Sequence, residues 1–366
     1  MNKTVIAFSI AAIVVVFIIS LFAIRRSNKP EELSELTVHF IDVGQGDSTL
    51  IICGGEAMLI DAGNNDKGTS VQLYLQKQGI DKLKYVVSTH PDADHLGGLD
   101  VIIYKYDCNT VFMSDVKSDS ISYQEVLDTL NNKWQKPTVP SLYEAYNLGD
   151  ATFSFVGPVN IYDSSNNNSL IIKLEHGQNS FLFTGDQEKE AEDDLLSTGI
   201  SLKADVLKIA HHGSHSSTGT GFLRNVSPQY AVISCGDGNE YGFPHREVMD
   251  SLKRLNCKVF RTDEQGSIVV KSNGIELNWN VEPSTTWNCG IVTRNPDSPA
   301  DEDKHPDIPF IANPETTYIL NKSSLKFHNP NCEAVQEMNP LNREETTEDR
   351  DALLNAGYVP CKACKP

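Results

Sequence analysis

The segment Thr89-His90-Pro91-Asp92-Ala93-Asp94-His95-Leu96-Gly97-Gly98 directly follows an apolar, strand-like segment, Tyr85–Ser88. Its two histidines and two aspartates occupy positions i, i+2, i+4 and i+5, so that a loop at a strand end can direct them towards adjacent ions. Burying these carboxylates beside apolar sequence without a partner would cost several kcal/mol, whereas a metal ion binds them directly. The segment therefore predicts a metal site at the end of a buried strand.

Later strand ends carry further candidate ligands. Phe181–Asp186 ends an apolar strand with a carboxylate able to bridge two cations, and Leu207–Ser214 ends another with the pair His211 and His212. Tyr241–His245 places a histidine at the start of a predicted helix. Each segment is weak evidence alone, but together they indicate one metal centre.

In this order the segments resemble the metallo-β-lactamase superfamily, whose signature is a strand followed by His-x-His-x-Asp-His. Within it, the chain resembles the hydrolase domain attached to the DNA-uptake channel protein of natural competence. The resemblance covers about Leu36 to Val281 and rests on six blocks: Phe40-Ile-Asp-Val-Gly-Gln-Gly-Asp47-Ser48, Leu59-Ile-Asp61-Ala-Gly63, His90 to Gly98, Asn168-Ser-Leu170, Thr184-Gly-Asp186 and His211-His-Gly-Ser214. It implies an α/β fold, a four-layered αββα sandwich. Strand-like segments first in meanders and then alternating with helical ones agree with such layers.

The chain departs from the superfamily signature in two linked places. Asp92 stands where a second histidine is usual, and the histidine expected near Asn168 and Ser169 is absent. The competence-type branch and the similar phosphorylcholine esterases of bacterial surfaces share both changes. In that branch a histidine in a Tyr-Gly-x-Pro-His segment, here His245, fills the gap.

The resemblance implies two divalent ions in the hydrolase site. The implied ligands are His90, Asp92, Asp94, His95, Asp186, His211, His212 and His245. One ion would take His90, Asp92 and one of the paired histidines, and the other Asp94, His95 and His245, with Asp186 bridging. Which of His211 and His212 binds metal stays open. The oxygen-rich ligand set makes manganese a competitor of zinc, and Asp61 either orients a ligand or caps a turn.

Two divalent ions about 3.5–4 Å apart can activate water and polarise an oxygen that develops charge. The predicted catalytic residues are therefore Asp94, His211 and His212, of which the histidine that does not bind metal could donate a proton or hydrogen bond to the substrate. Phosphodiester hydrolysis suits such a pair of ions, because both the attacking and the leaving oxygen can meet metal. No separate serine or cysteine nucleophile is needed.

The net charge of −18 bears on the substrate. An acidic surface repels nucleic acid unless metal ions or a local basic patch intervene. The charge therefore counts against a nucleic-acid substrate and slightly favours a cationic one.

The N-terminal segment predicts a membrane anchor. Thr4–Ile24 contains 21 residues without a charge, and about 20 helical residues cross the hydrocarbon core. A cleaved secretory signal has a shorter apolar region of about 7–15 residues before a small-x-small site. Residues 1–30 are therefore predicted to anchor the chain in the membrane with the catalytic domain outside, or to direct its secretion. Charges flank both ends of the span, which leaves the orientation open.

Residues 282–316 are rich in proline, aspartate, asparagine and serine and predict a linker between the hydrolase domain, residues 36–281, and a separate module, residues 317–366. In that module, His328-x3-Cys332 precedes Cys361-x2-Cys364, the spacing of a tetrahedral structural zinc site. The segment resembles the zinc-binding module of the bacterial alkylation-response protein Ada, with His328 where that module has cysteine. Similar modules follow secreted nuclease domains, which favours DNA as a partner.

Three functions are compatible with the sequence. The first is an exported, membrane-anchored metal-dependent phosphodiesterase, a nuclease related to competence DNA uptake, with DNA as substrate. The second is a phosphoryl-ester hydrolase acting on cell-surface polymers, similar to the phosphorylcholine esterases. The third is a non-catalytic DNA-binding accessory, against which the complete ligand set argues.

Overall fold

The structure, a computed structural model, describes residues 33–290 and, in the C-terminal part, residues 317–364 except for 323, 331, 337, 339–341, 347–352, 354–357 and 362–363. The predicted membrane span Thr4–Ile24 and most of the predicted linker lie outside the described residues. Within the described ranges, no helix is long and apolar enough to cross a membrane. The chain divides into two compact units, residues 1–296 and 297–366.

The larger unit contains two seven-stranded sheets within the described part of the chain. The strands of the first are β1 (Leu36–Phe40), β2 (Thr49–Cys53), β3 (Glu56–Ile60), β4 (Lys82–Ser88), β5 (Asp107–Met113), β13 (Ile268–Ser272) and β14 (Leu277–Trp279). Their order is β14-β13-β1-β2-β3-β4-β5. Strands β3, β4 and β5 run parallel, while the other pairs are antiparallel.

The second sheet is built from the middle of the chain. Its strands are β6 (Ala145–Leu148), β7 (Ala151–Gly157), β8 (Ile171–His176), β9 (Asn179–Phe183), β10 (Val206–Lys208), β11 (Tyr230–Ile233) and β12 (Lys258–Arg261). Their order is β12-β11-β10-β9-β8-β7-β6, and β9 to β12 run parallel. The carboxyl ends of these parallel strands therefore meet at one edge of the sheet.

Helices accompany both sheets. They are α1 (Gly68–Lys77), α2 (Ala93–Leu96), α3 (Leu99–Lys105), α4 (Ile121–Asn132), α5 (Lys189–Ser197), α6 (Thr220–Val226), α7 (Arg246–Arg254) and α8 (Thr262–Gln265). Apolar residues of α1, α3 and α4 share one buried cluster with the first sheet, and those of α5, α6 and α7 share another with the second. A third cluster joins the two sheets to each other. The layers therefore follow the order helices, sheet, sheet, helices, which is the four-layered arrangement expected.

Both faces of the central strands are buried, which explains their unbroken apolar runs. In β4, Val87 packs between the sheets while Val86 packs under the helices, because neighbouring side chains of a strand point to opposite faces. In β2, Ile51 and Leu50 divide in the same way.

The first part of the predicted linker lies on the larger unit. Ser284 N–H donates to Val259 O, Gly290 N–H donates to Pro244 O, and Trp287 packs against the cluster under the second sheet. These contacts extend the ordered larger unit to residue 290, beyond the boundary at Val281 that composition suggested. Polar composition did not distinguish a surface-bound segment from a linker.

The smaller unit is described separately. It contains β15 (Tyr318–Asn321), β16 (Lys326–His328), α9 (Glu333–Gln336), β17 (Arg343–Thr346) and β18 (Val359–Pro360). The four strands form a sheet with the order β17-β15-β16-β18. One face packs Tyr318, Leu320, Phe327 and Leu353 together, and a second cluster groups Ile319 with the cysteines.

Candidate metal centre

The candidate site lies where strands of both sheets end. Strand β4 ends at Ser88, two residues before His90, and α2 carries Asp94 and His95. Strand β9 ends just before Thr184-Gly185-Asp186, and β10 ends just before His211 and His212. Parallel strands bring these loops to one edge, so residues far apart in sequence meet there.

Four side chains form the closest part of the site. His95 Nε2 lies 3.1 Å from Asp186 Oδ1 and 3.3 Å from His212 Nε2. His212 Nε2 lies 3.2 Å from Asp94 Oδ2 and 3.3 Å from Asp186 Oδ2. All are buried except Asp94, which is partly exposed. Two carboxylates and two imidazole nitrogens thus converge on a space that suits a divalent cation.

His90 and Asp92 lie beside this group. His90 Nδ1 lies 3.1 Å from Thr89 Oγ1 and 3.3 Å from Ser169 Oγ, and its ring centre is 4.2 Å from that of His95. His90 Nε2 lies 3.6 Å from Asp92 Oδ2 and, among the described residues, has no hydrogen-bond partner although it is fully buried. A buried imidazole nitrogen without a partner is costly, so its position fits a metal ligand.

The second ring nitrogens of the central histidines are held from behind. His95 Nδ1 lies 2.9 Å from Asp61 Oδ2, and Asp61 also accepts hydrogen bonds from the N–H and Oγ1–H of Thr89. His212 Nδ1 lies 2.9 Å from Ser234 O. In both rings Nδ1–H donates, so Nε2 faces the site and can offer its lone pair to a metal ion once its proton has left. Asp61 therefore orients a ligand.

Asp47 was not predicted as a site residue, although it lies in the first sequence block. Its carboxylate can be grouped with His95, Asp186 and His212 as a possible four-residue metal site, since one donor atom from each lies within 4.8 Å of the others. However, Asp47 faces the Nδ1 edges of His95 and His212, at 4.0 and 3.7 Å, and pairs with buried Lys208 at 2.8 Å. We therefore interpret Asp47 as a support behind the rings, with Asp94 on the metal-facing side.

The loop before Asp47 contains glycine because its backbone lies very close to that of Asp94. Gly46 has a φ of +134°, and a Cβ at this position would lie 2.3 Å from Asp94 O. Asp47 N–H donates to the same oxygen at 3.0 Å. Only glycine permits this approach, which fixes the backbone of Asp94.

His211 lies at the rim of the site. Its side chain is 15% exposed, compared with 1% for His212, and its Nε2 is 3.9 Å from Asp186 Oδ2. Its Nδ1 lies 3.2 Å from Ser216 Oγ and 3.6 Å from Glu188 Oε1. Between the paired histidines, the geometry favours His212 as ligand and leaves His211 facing the solvent side.

His245 does not join the cluster. A neutral imidazole has one acceptor nitrogen, and in His245 the N–H of His215 donates to Nδ1 at 2.9 Å, while Nε2 lies 3.1 Å from Tyr241 O. The position beside Asp94 and His95 that the resemblance gave to His245 is taken by His212. This difference arises because His245 begins α7, where it faces the 213–215 loop.

The segment Tyr241–His245, called the brace below, instead packs against the loop that carries the paired histidines. Phe243 packs on both rings at 5.6 and 5.9 Å, His245 N–H donates to Gly213 O, and a Cβ on Gly213 would lie 2.6 Å from Pro244 Cβ. The brace matters because both histidines of the pair have left-handed φ values, +49° and +54°, which non-glycine residues rarely adopt.

The family follows from a comparison with known proteins. The family model described as the metallo-beta-lactamase superfamily matches residues 41–237. The chain belongs to the metallo-beta-lactamase superfamily. The predicted superfamily and the predicted fold class are therefore confirmed. The fold of this superfamily implies bound divalent metal ions, and the side chains described above are suitable ligands for them.

The curated relatives of this superfamily chain include Competence protein ComA of Neisseria gonorrhoeae, which is 29% identical over 66% of the chain and 33% of its own length. ComE operon protein 3 of Bacillus subtilis is 31% identical over 64% of the chain and 33% of its own length. Recombination protein 2 of Haemophilus influenzae is 33% identical over 66% of the chain and 29% of its own length. The chain thus spans about a third of the relatives it matches. Among solved structures, the metallo-beta-lactamase fold protein YhfI from Bacillus subtilis is 13% identical over 65% of the chain and all of its own, with a TM-score of 0.46.

Charge pairing dominates the metallo-beta-lactamase site. Burial disfavours the charged forms, but Asp186 and Asp61 outweigh it and raise the pKa of His95 well above its ordinary value. Against the same burial, His212 and His95 hold the pKa of Asp186 far below its usual range. Without metal, protonated histidines thus balance the carboxylates. A cation must displace those protons, so metal uptake should release protons and weaken at low pH.

The smaller unit contains a second candidate metal site. One donor atom from each of His328, Cys332, Cys361 and Cys364 lies within 4.8 Å of the others. His328 Nδ1 is buried and, within the described part of the chain, without a hydrogen-bond partner. Three thiols and an imidazole suit tetrahedral zinc, as predicted from the spacing. The identity of the metal in either site stays a prediction.

Proposed function

We propose that the chain is a metal-dependent phosphodiesterase that cleaves DNA. The observation that carries the proposal is the set of donors at one edge: His90 and Asp92 beside Asp94, His95, Asp186 and His212. Such a set can hold two divalent ions, zinc or manganese, which supply Lewis acidity and a water of lowered pKa when bound. Among the relatives, the names of Recombination protein 2 and Competence protein ComA support DNA as the substrate.

In this proposal, different residues bind the metal ions, orient the ligands and donate a proton. Asp94, His95 and His212 would hold one ion and His90 and Asp92 the other, with Asp186 next to the first group. Asp61, Ser234 and Asp47 keep the rings in place from behind. His211, the more exposed of the histidine pair, is placed to donate a proton or a hydrogen bond to the leaving oxygen.

The proposal is tested with the purified full chain. Linear DNA, RNA, a choline-bearing teichoic acid and a chromogenic phosphodiester are each incubated with Mn²⁺ or Zn²⁺, with EDTA as the control. Metal-dependent cleavage of DNA and the chromogen supports the proposal. Binding of DNA without cleavage of any substrate would instead support the accessory function, and cleavage of choline-bearing polymer alone would support a surface-polymer hydrolase.

We further propose that the catalytic domain acts outside the cell, anchored through Thr4–Ile24. The support is the length of this uncharged segment in the sequence. Protease added to intact cells should degrade the catalytic domain. A domain that is protected until the cells are lysed would contradict export.

A further inference from the structure

A cavity of about 410 Å³ lies beside the candidate metal centre. Its lining includes Asn168 and Leu170, and Leu170 N–H donates to Thr89 O, next to His90. Between these two residues, Ser169 Oγ lies 3.3 Å from His90 Nδ1. The segment that forms part of the cavity wall therefore also contacts His90 and the residue before it.

The chemistry of the lining restricts what enters. Most of the surface is apolar and comes from Val139, Pro140, Leu142, Pro158, Val159 and Ile161. Among the residues that the structure describes, the lining includes no lysine, arginine or histidine, and Asp115 is its one charged side chain. A second phosphate is therefore excluded, because an anion would face a carboxylate without a cation. An uncharged or a cationic group remains possible.

Choline, which is cationic, and a nucleobase, which is uncharged, require different side chains in a binding site. A quaternary ammonium such as choline is bound by aromatic faces, and the described lining includes no aromatic side chain. A nucleobase has apolar faces and polar edges, which match proline and aliphatic walls with Ser114, Asp115 and Asn160 among them. The volume also lies within the usual range of small-molecule sites.

We propose that this cavity binds one unpaired nucleobase of the phosphodiester substrate. The inference rests on the proposed phosphodiesterase function and specifies its substrate as a nucleotide with an extruded or single-stranded base. It also reconciles an acidic chain with a DNA substrate, because the contact is to a neutral base rather than to the phosphate backbone.

Three p-nitrophenyl phosphodiesters test this inference on the full chain with Mn²⁺. They share the leaving group and differ in the other substituent, which is thymidine 5′-, choline or methyl. The thymidine ester should have a KM at least about fivefold below that of the methyl ester. Val139→Trp, at a half-exposed lining position, should abolish this advantage and leave the KM of the methyl ester unchanged.

Two further variants control the result. Ile161→Ala, at a lining residue that is 84% exposed and so unimportant for folding, should raise the KM of the thymidine ester about threefold. Ile121→Trp, exposed but outside the lining, should change nothing. Equal KM values for all three esters, equal effects of Val139→Trp on all of them, or a selective effect on the choline ester would overturn the inference. If no diester is hydrolysed, the proposed function itself fails.

Discussion

At the scale of single residues, the site depends on carboxylates that are buried only because cations or protonated histidines accompany them. Asp186 is the clearest case, since it touches both His95 and His212 and is 3% exposed. An uncompensated charge at such a depth would be expensive, so each member of the group requires the others.

Asp186→Asn removes one charge while preserving the shape of the side chain. We expect it to bind fewer divalent ions per chain and to lose at least about 100-fold in hydrolysis, because a neutral amide is a poor metal ligand. Elemental analysis after dialysis and a chromogenic assay measure the two effects. Asp237→Asn, on an exposed loop, is the matched control. Full metal content in Asp186→Asn would remove Asp186 from the ligand set.

His39 gives the fold a pH dependence that is independent of the metal centre. Burial, with a smaller effect of the Lys271 charge, lowers the pKa of His39 from 6.5 to about 4. Between pH 6.5 and 4 the unfolded chain binds a proton at this residue and the folded chain does not. The contribution of His39 to the free energy of unfolding is therefore fully present above pH 6.5 and is lost as the pH falls towards 4.

In His39→Asn, the amide oxygen replaces Nδ1 as acceptor for Tyr74 Oη, and this pH dependence should vanish. When the pH is lowered from 7 to 5, the free energy of unfolding measured in urea should fall by about 2 kcal/mol more in the natural chain than in the variant. Parallel losses in the two proteins would show that His39 is protonated in the folded state.

At the scale of elements, strands were easier to predict than contacts. The apolar runs ending at Ser88, Phe183 and Lys208 revealed the strands, because each is buried on both faces. Strand β5 and helices α3 and α6 were not anticipated, since Asp107–Met113 begins with polar residues and the two helices are short. The role of His245 could not be read from spacing either, because it depends on which backbone groups face its ring.

The brace formed by Tyr241–His245 leads to a test that separates support from ligation. Because Nδ1 of His245 accepts from His215 N–H, His245→Asn, with its oxygen near that position, should retain metal content and most activity. His245→Gln, whose oxygen mimics Nε2, should loosen the 213–216 loop and lose about tenfold in activity. Metal stoichiometry and kcat are compared for both, with His212→Asn as the reference for a lost ligand. Loss of one ion in His245→Asn and in His245→Gln alike would instead identify His245 as a ligand.

At the scale of the whole molecule, each of the two units contains its own candidate metal site, and the two sites differ in chemistry. The site of the larger unit is rich in oxygen and nitrogen, whereas that of the smaller unit has three thiols and one imidazole. A small unit buries little apolar surface, so a bound zinc would supply much of its folding free energy, about 10–16 kcal/mol in comparable peptides.

Cys361→Ser should therefore unfold residues 317–366 and leave the hydrolase unit folded. Limited proteolysis should remove the smaller unit from the variant, while elemental analysis should show one zinc fewer. Hydrolysis of a small chromogenic diester should be unchanged, and binding to long DNA should weaken if the smaller unit holds DNA. A variant that keeps its full zinc content and resists protease would contradict the site.

The ligands of the larger unit are supplied by both halves of its sandwich. His90, Asp92, Asp94 and His95 follow a strand of the first sheet, while Asp186 and His212 follow strands of the second. The first sheet is complete only when β14 has been added, at Trp279. During synthesis, the site is therefore incomplete until the second sheet has formed and packed against the first. If the protein crosses the membrane unfolded, it cannot bring catalytic metal with it from the cytoplasm. The ions would then be acquired where the two sheets meet, and the metal supply outside the cell would decide which cation the enzyme uses.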